Sequence, residues 1–137
     1  ALAVGADGLH VGQEDLPLSI ARRQLGQEAL VGVSVHSVEE AIAAQEGGAD
    51  YVGIGSLFPT TTKKDIQQLS WADVQAIREV LRIPAVGIGG IAAANLQEVR
   101  QNGLDGAAVV SAILSAEDIG GTTRRLRQIW EQGHVGK

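Results

Sequence analysis

The chain has 137 residues and a formal net charge of −5, from 11 Lys and Arg against 16 Asp and Glu. This acidic balance argues against nucleic acid as a general partner, and the absence of long apolar runs argues against a membrane-spanning protein. Glycine is abundant, with 18 residues, and cysteine is absent, which excludes disulfides and thiolate zinc sites and, without a signal-peptide pattern, favours the cytoplasm.

One phrase recurs three times, and each copy predicts the end of a helix followed by a short buried strand. The copies are residues 5–12, 48–55 and 103–110, and each runs from glycine through aspartate into small and apolar residues. Glycine ends a helix without a Cβ penalty, and a brief apolar run is typical of a strand covered on both faces. Two further apolar runs, 30–35 and 85–89, complete five candidate parallel strands.

Helical patterns lie between these strands. Ser37 with Glu40 has the spacing of a capping box, in which a hydroxyl and a carboxylate satisfy free backbone N–H groups, and Ser70 with Asp73 has a related spacing. The strict alternation of strand and helix, without a linker, predicts a single α/β domain over residues 1–137, with a flexible tail at 131–137. The predicted helices cover residues 18–25, 37–46, 70–81, 95–102 and 122–132.

Residues suited to ligand binding follow every predicted strand. An open sheet concentrates such residues where the strand order reverses, whereas a (β/α)8 barrel places them after nearly every strand. The pattern therefore predicts a TIM barrel, of which five β/α units are visible and three N-terminal units are missing. The residues are Gln13 and Asp15, Ser34 and His36, Thr60 to Lys63, Gly89 and Gly90, and Val110 and Ser111.

A glycine-rich segment, residues 87–92, matches the dinucleotide pattern G-x-G-x-x-A. Dinucleotide binding requires an acidic residue at the end of the next strand. Val110 and Ser111 stand at that position, so we reject dinucleotide binding. Gly89 and Gly90, with Val110 and Ser111, instead indicate a phosphate site of backbone N–H groups and a hydroxyl, in the position where barrels hold phosphate. The alternative is that buried strands simply need small residues at their tips.

The connection at residues 58–65 is longer than its neighbours, and functional residues concentrate in such loops. The hydroxyls of Thr60, Thr61 and Thr62 and the cation of Lys63 together suit an anion. The alternative is a polar surface loop that carries two lysines.

Two further side chains at strand ends have both a functional and a structural interpretation. Asp15 offers the hard oxygen that Mg²⁺ prefers, or it caps the helix entered through Pro17. His36 is a candidate acid or base near neutral pH, or a packing residue before the capping Ser37. His10 lies within a strand pattern and is interpreted as structural.

In order and spacing, several segments together resemble the thiamine-phosphate synthase family, and the loop Pro59-Thr60-x-Thr62-Lys63 is the most specific of them. The resemblance implies a TIM-barrel transferase of thiamine biosynthesis that uses Mg²⁺. It joins a pyrimidine methyl diphosphate to a thiazole phosphate and releases diphosphate. The segments are residues 8–15, 32–36, 48–55, 58–63, 87–91 and 110–113.

The resemblance also implies roles for individual residues. Asp15 would ligate Mg²⁺, and Lys63 and Ser34 would contact the pyrimidine diphosphate as catalytic residues. The thiazole phosphate would be surrounded by Thr60, Thr61, Thr62, Gly90, Val110 and Ser111.

The chain lacks two elements of the family's pattern, a Gln-x-Arg-x-Lys segment and an Asn-Asp pair. We therefore expect a fragment that is inactive alone and whose open sheet edges pair with the missing segment or with a second copy. The expected partners are two small-molecule substrates, with neither nucleic acid nor membrane. Two alternatives stay open: a related thiazole tautomerase that uses His36, and a phosphate-binding barrel fragment without catalysis.

Overall fold

A computed structural model describes residues 1–59 and 67–133. The strands are β1 Gly8–Val11, β2 Leu30–Val35, β3 Tyr51–Ile54, β4 Ala85–Ile88 and β5 Gly106–Ala108. A 3-10 turn at Leu2–Val4 precedes them, and the helices are α1 Leu18–Leu25, α2 Val38–Glu46, α3 Trp71–Val80, α4 Leu96–Gln101, α5 Ser111–Leu114 and α6 Ile119–Gln132. Within the described ranges, none of these helices has the length and apolar character needed to cross a membrane.

The five strands form one parallel sheet in the order β1-β2-β3-β4-β5. The predicted α/β class and all five predicted strands are therefore confirmed. In the described part of the chain, β1 and β5 each have one neighbour and do not pair with each other, so the sheet is not closed into a barrel.

One face of the sheet forms the hydrophobic core with the helices. Val35, Val52 and Ile54 are completely buried on this face, because alternate residues of a strand point to the same side. They belong to one cluster with buried residues of α2, α3, α4 and α6, such as Ile77 and Val99. The strands are apolar along nearly their whole length and the helices are amphipathic, so the helices pack their apolar sides onto this face of the sheet.

The opposite face, which we call the open face, carries a cavity of about 380 Å³ lined only by strand residues. Its walls are mainly apolar, apart from one imidazole and one phenol. The lining residues are His10, Tyr51, Gly53, Val86, Ile88 and Ala108.

The structure differs from the predicted elements mainly near the end of the chain. Val110 and Ser111, predicted to end a strand, instead begin the short helix α5, since Leu114 N donates to Val110 O at 2.9 Å. Helix α6 starts before the predicted residue 122, because the Asp118 side chain accepts from Gly121 N. The predicted tail at 131–137 overlaps the last turn of α6, and its residues 134–137 lie outside the described residues.

Candidate functional site

The candidate residues follow strands that all run in the same direction, so the fold places them at one edge of the sheet. Asp15 follows β1, Ser34 lies near the end of β2, Gly90 follows β4, and Val110 follows β5. This edge is the one where parallel α/β proteins bind their ligands. Thr60, Thr61, Thr62 and Lys63 follow β3 in the chain and lie outside the described residues.

Asp15 is held by a tight turn. Its Oδ2 accepts from Gly12 N at 2.7 Å, and its own N–H donates to Gly12 O at 3.2 Å. The alternative that Asp15 caps α1 is wrong, because the cap residue is Pro17 and no side chain bonds to that helix end. The carboxylate is exposed and has a second oxygen for a ligand, while the described residues contain no group of three or more His, Cys, Asp or Glu side chains that could hold a metal ion by themselves.

Ser34 is contacted from β1 through both its backbone and its side chain. Gln13 Nε2 donates to Ser34 O at 2.8 Å, and His10 Nε2 lies 2.8 Å from Ser34 Oγ. On the other side of the imidazole ring, His10 Nδ1 lies 2.9 Å from the Tyr51 hydroxyl. The interpretation of His10 as merely structural therefore missed a polar chain that ends at a predicted site residue.

Partial burial shifts the pKa of His10 and of Tyr51, the two aromatic residues in this series of hydrogen bonds. Loss of water lowers the pKa of His10 below its ordinary value, and the negative charge of Asp15 opposes that shift. Burial also raises the pKa of Tyr51. At neutral pH the imidazole is therefore neutral and the phenol keeps its proton.

Gly89 and Gly90 sit where only glycine fits, because both have positive φ angles, of 102° and 67°. A Cβ on Gly90 would lie 2.6 Å from Pro59 O, so the turn after β4 packs closely against the segment leading into the loop predicted to bind anions. Asn95 shapes this turn from the start of α4: it donates to Gly90 O at 3.0 Å and accepts from Ala92 N at 2.9 Å. Sequence analysis made Asn95 the first residue of a helix and missed this role, although an asparagine at a helix start was the available signal.

Val110 and Ser111 are both exposed at the start of α5. Val110 keeps 53% of its surface accessible. The pair is thus accessible at the same edge as Gly90, as the phosphate prediction requires.

His36 does not pack into the core. Its Nδ1 lies 3.1 Å from Glu40 Oε1, and its backbone N–H donates to the same carboxylate oxygen. The predicted capping box at the start of α2 is therefore half formed: Ser37 accepts from Glu40 N, while the Glu40 carboxylate binds His36.

Comparison with known proteins identifies the family. The model of the family described as thiamine monophosphate synthase matches residues 1–113. The chain belongs to this family. Thiamine-phosphate synthase of Syntrophomonas wolfei is 49% identical over 133 residues, covering 96% of this chain and 64% of that protein. The enzyme of the same name from Ruminiclostridium cellulolyticum is 49% identical over 130 residues, covering 95% and 62%.

A solved structure has the same fold as the chain over nearly its whole length. Thiamine phosphate pyrophosphorylase of Pyrococcus furiosus superimposes with a TM-score of 0.87 at 43% identity, over 96% of this chain and 63% of that one. The resemblance inferred from the sequence is therefore confirmed. The chain spans somewhat less than two thirds of the length of these relatives.

Proposed function

We propose that the protein to which this chain belongs is a thiamine-phosphate synthase. The observation that carries the proposal is the collection of Asp15, Ser34, Gly90 and Val110 at one edge of a parallel sheet. Those positions are the ones to which the resemblance assigns substrate and metal binding, and relatives with that name are 49% identical to the chain. The reaction is transfer of a pyrimidine methyl group from its diphosphate to a thiazole phosphate.

We further propose that the five β/α units belong to an eight-unit TIM barrel. Two observations support this: the open edges at β1 and β5, and a coverage of relatives of 62–64%, close to five-eighths. The remaining strands would pair with both edges and enclose the open face. A cytoplasmic location, expected from the composition, is part of the same proposal.

The proposed phosphate site follows β3, β4 and β5. Gly90, Val110 and Ser111 would surround the thiazole phosphate together with Thr60, Thr61 and Thr62 of the loop. Backbone N–H groups and hydroxyls suit this ligand because they donate to its oxygens without a Cβ in the way at Gly90.

The proposed diphosphate site uses Lys63, Ser34 and Asp15. One exposed carboxylate fits Mg²⁺, which commonly takes one or two carboxylates and completes its shell with substrate phosphates and water. When bound, the ion would neutralise part of the negative charge on the diphosphate. We therefore propose Asp15 as one Mg²⁺ ligand, with the others supplied by substrate and by residues beyond this chain.

The chemistry requires no side-chain nucleophile. The carbon–oxygen bond to the diphosphate breaks, the electron-rich pyrimidine ring stabilises the positive charge left on its methyl carbon, and the thiazole nitrogen bonds to that carbon. Lys63 stabilises the departing negative charge, and the barrel holds the two rings in contact. This accounts for a site rich in phosphate ligands and free of cysteine.

A comparison of Lys63→Ala with Lys64→Ala tests the proposal. In the complete protein with both substrates and Mg²⁺, we expect Lys63→Ala to lower kcat about 100-fold or more, since it removes one preorganised charge from the leaving group. The neighbouring Lys64→Ala should stay near the parent rate. Product formation is followed by chromatography of thiamine phosphate, and equal rates for the two variants would contradict the assignment.

The pairing of His36 with Glu40 favours a second candidate, proton transfer on a thiazole phosphate. That activity would consume one substrate, proceed without metal and be lost in His36→Asn. The synthase requires both substrates and Mg²⁺, so the substrate requirement separates the two. A protein that binds phosphate without turnover would fit neither activity.

A further inference from the structure

Tyr51, His10 and Ser34 form a hydrogen-bonded chain across the first three strands. The two links are 2.9 Å and 2.8 Å long. In the sheet register, His10 is paired with Gly32, and Gly32 with Tyr51. A Cβ at position 32 would lie 2.1 Å from a carbon of the Tyr51 ring, so glycine lets the phenol lean across β2 and reach the imidazole.

The chemistry of the three groups sets the direction of the hydrogen bonds. A neutral imidazole has one donor and one acceptor nitrogen. The phenol is a more acidic donor than an alkyl hydroxyl, which favours the arrangement in which Tyr51 donates to Nδ1 and the ring proton lies on Nε2. In this arrangement His10 Nε2–H donates to Ser34 Oγ, and the Ser34 hydroxyl proton is left free for another partner.

The surroundings indicate what that partner is. The cavity on the open face contains His10 and Tyr51 between mainly apolar walls, which suits a flat heteroaromatic ring with a few polar atoms. Ser34 adjoins this cavity through its contact with His10, and a hydroxyl whose oxygen accepts a hydrogen bond still has its own proton to donate to an acceptor such as an unprotonated ring nitrogen.

We propose that His10 and Tyr51 are positioning residues, which fix the Nε2–H tautomer and thereby make Ser34 a donor to a ring nitrogen of the pyrimidine substrate. The identity of the ring rests on the proposed function. The order of the three groups rests on the contacts within this chain. The two parts are tested by separate measurements.

The tautomer is measured by two-bond ¹H–¹⁵N NMR correlation on the complete protein without substrate, with the His10 signals assigned by their loss in His10→Gln. We expect a proton on Nε2 in the parent and a shift toward the Nδ1–H form in Tyr51→Phe, which removes the donor to Nδ1. Ser34→Ala, the matched control at the other end, should leave Nδ1 unprotonated. An Nδ1–H form in the parent, or an unchanged spectrum in Tyr51→Phe, would overturn the proposed order.

The effect on the substrate is measured by comparing His10→Gln with His10→Leu. The amide of glutamine can donate from near the position of Nε2, whereas leucine fills similar space without a donor. We expect His10→Leu to lower kcat/KM for the pyrimidine diphosphate about tenfold, and His10→Gln to recover most of the loss. In both variants the KM for thiazole phosphate should stay at the parent value.

Equal losses in the two His10 variants would show that the imidazole acts only by filling space, and would overturn the positioning role. Thermal unfolding of each variant separates such losses from misfolding, and Tyr51→Phe provides a second, milder substitution in the same chain. If the parent itself makes no thiamine phosphate, the proposed function fails. The NMR result still decides the direction of the hydrogen bonds among Tyr51, His10 and Ser34.

Discussion

Arg22 of α1 illustrates how a single, largely buried cation can join several loops. Its guanidinium donates to Ala29 O at 2.6 Å, to Gly48 O at 2.7 Å and to Asp50 Oδ2 at 2.8 Å, and the side chain is only 11% exposed. The hydrogen bond from Arg22 to Asp50 Oδ2 holds the pKa of the Asp50 carboxyl below its ordinary value, with a further contribution from Val31 N–H. The carboxylate therefore stays charged wherever the protein is folded near neutral pH.

We predict that Arg22→Ala lowers the free energy of unfolding by about 2–4 kcal/mol, because carbonyl and carboxylate oxygens lose their donor in a partly buried position. The matched control is Arg23→Ala, whose side chain is exposed and which should change stability by less than about 0.5 kcal/mol. Urea unfolding at neutral pH measures both. Similar midpoints for the two variants would contradict the role given to Arg22.

Single substitutions at Gly90 test the proposed phosphate site. Any side chain there is strained, since φ is +67° and a Cβ would approach Pro59 O. Gly90→Ala therefore measures the strain alone, and Gly90→Asp adds a negative charge where a dianion is proposed to bind. We predict a KM for thiazole phosphate at least about tenfold higher in Gly90→Asp than in Gly90→Ala. Equal KM values in steady-state assays would place the phosphate elsewhere.

At the scale of elements, the repeated phrase of the sequence has a structural explanation. Asp50, before β3, donates from its N–H to Val31 O and accepts from Val31 N on its carboxylate. Asp105, before β5, makes the same pair of bonds with Ala85. Each aspartate thus connects the start of its strand to the start of the preceding strand by two hydrogen bonds. The remaining copy of the phrase, at residues 5–12, places Asp7 before β1.

This repeat predicts a strand beside β1. Within the described residues, the Asp7 carboxylate accepts no hydrogen bond, because β1 is an edge strand. In the complete protein we expect Asp7→Ala to cost about 1–3 kcal/mol, similar to Asp105→Ala, since both would leave a strand-end N–H without its acceptor. Thermal or urea unfolding checks this. A cost below about 0.5 kcal/mol for Asp7→Ala alone would indicate that no strand pairs with β1 in this way.

Local sequence signals predicted most of these elements. Glycine and aspartate before each short apolar run indicated three strands, and the capping box of Ser70 and Asp73 forms as expected at the start of α3. Helix α5 was missed because it has four residues and its cap, Val110, carries no capping side chain. At Ser37, spacing alone did not reveal that Glu40 would bind the neighbouring His36 instead.

The candidate site was predictable only where topology alone determines position. Residues after parallel strands meet at one edge whatever their side chains do, and so Asp15, Ser34 and Gly90 were identified from the sequence. The contact between His10 and Tyr51 joins residues 41 positions apart. It depends on the register of three strands and on the missing side chain of Gly32, and single-sequence patterns do not specify either.

At the scale of the whole molecule, the two faces of the sheet are unequal. One face is buried under helices, whereas the open face leaves Tyr51, Val86 and Ile88 only partly covered. Among the residues that the structure describes, both edge strands also present backbone groups without partners from another strand. In the proposed barrel, the same features become the enclosed substrate cavity and the pairing surfaces for three further strands.

We predict that the 137-residue chain, expressed by itself, does not persist as a compact monomer of 14.2 kDa. Domains of this size are stable by only about 5–15 kcal/mol, so two unpaired edges and an uncovered apolar face are a large fraction of the total. Association across the edges, or partial unfolding with exposed apolar surface, should appear in analytical ultracentrifugation and dye binding, with the complete protein as the control.

The chain alone should make no thiamine phosphate from both substrates and Mg²⁺. Adding a separate polypeptide that carries the remaining β/α units should restore both a defined mass and turnover. A compact, active monomer of the chain alone would contradict the proposed closure of the barrel.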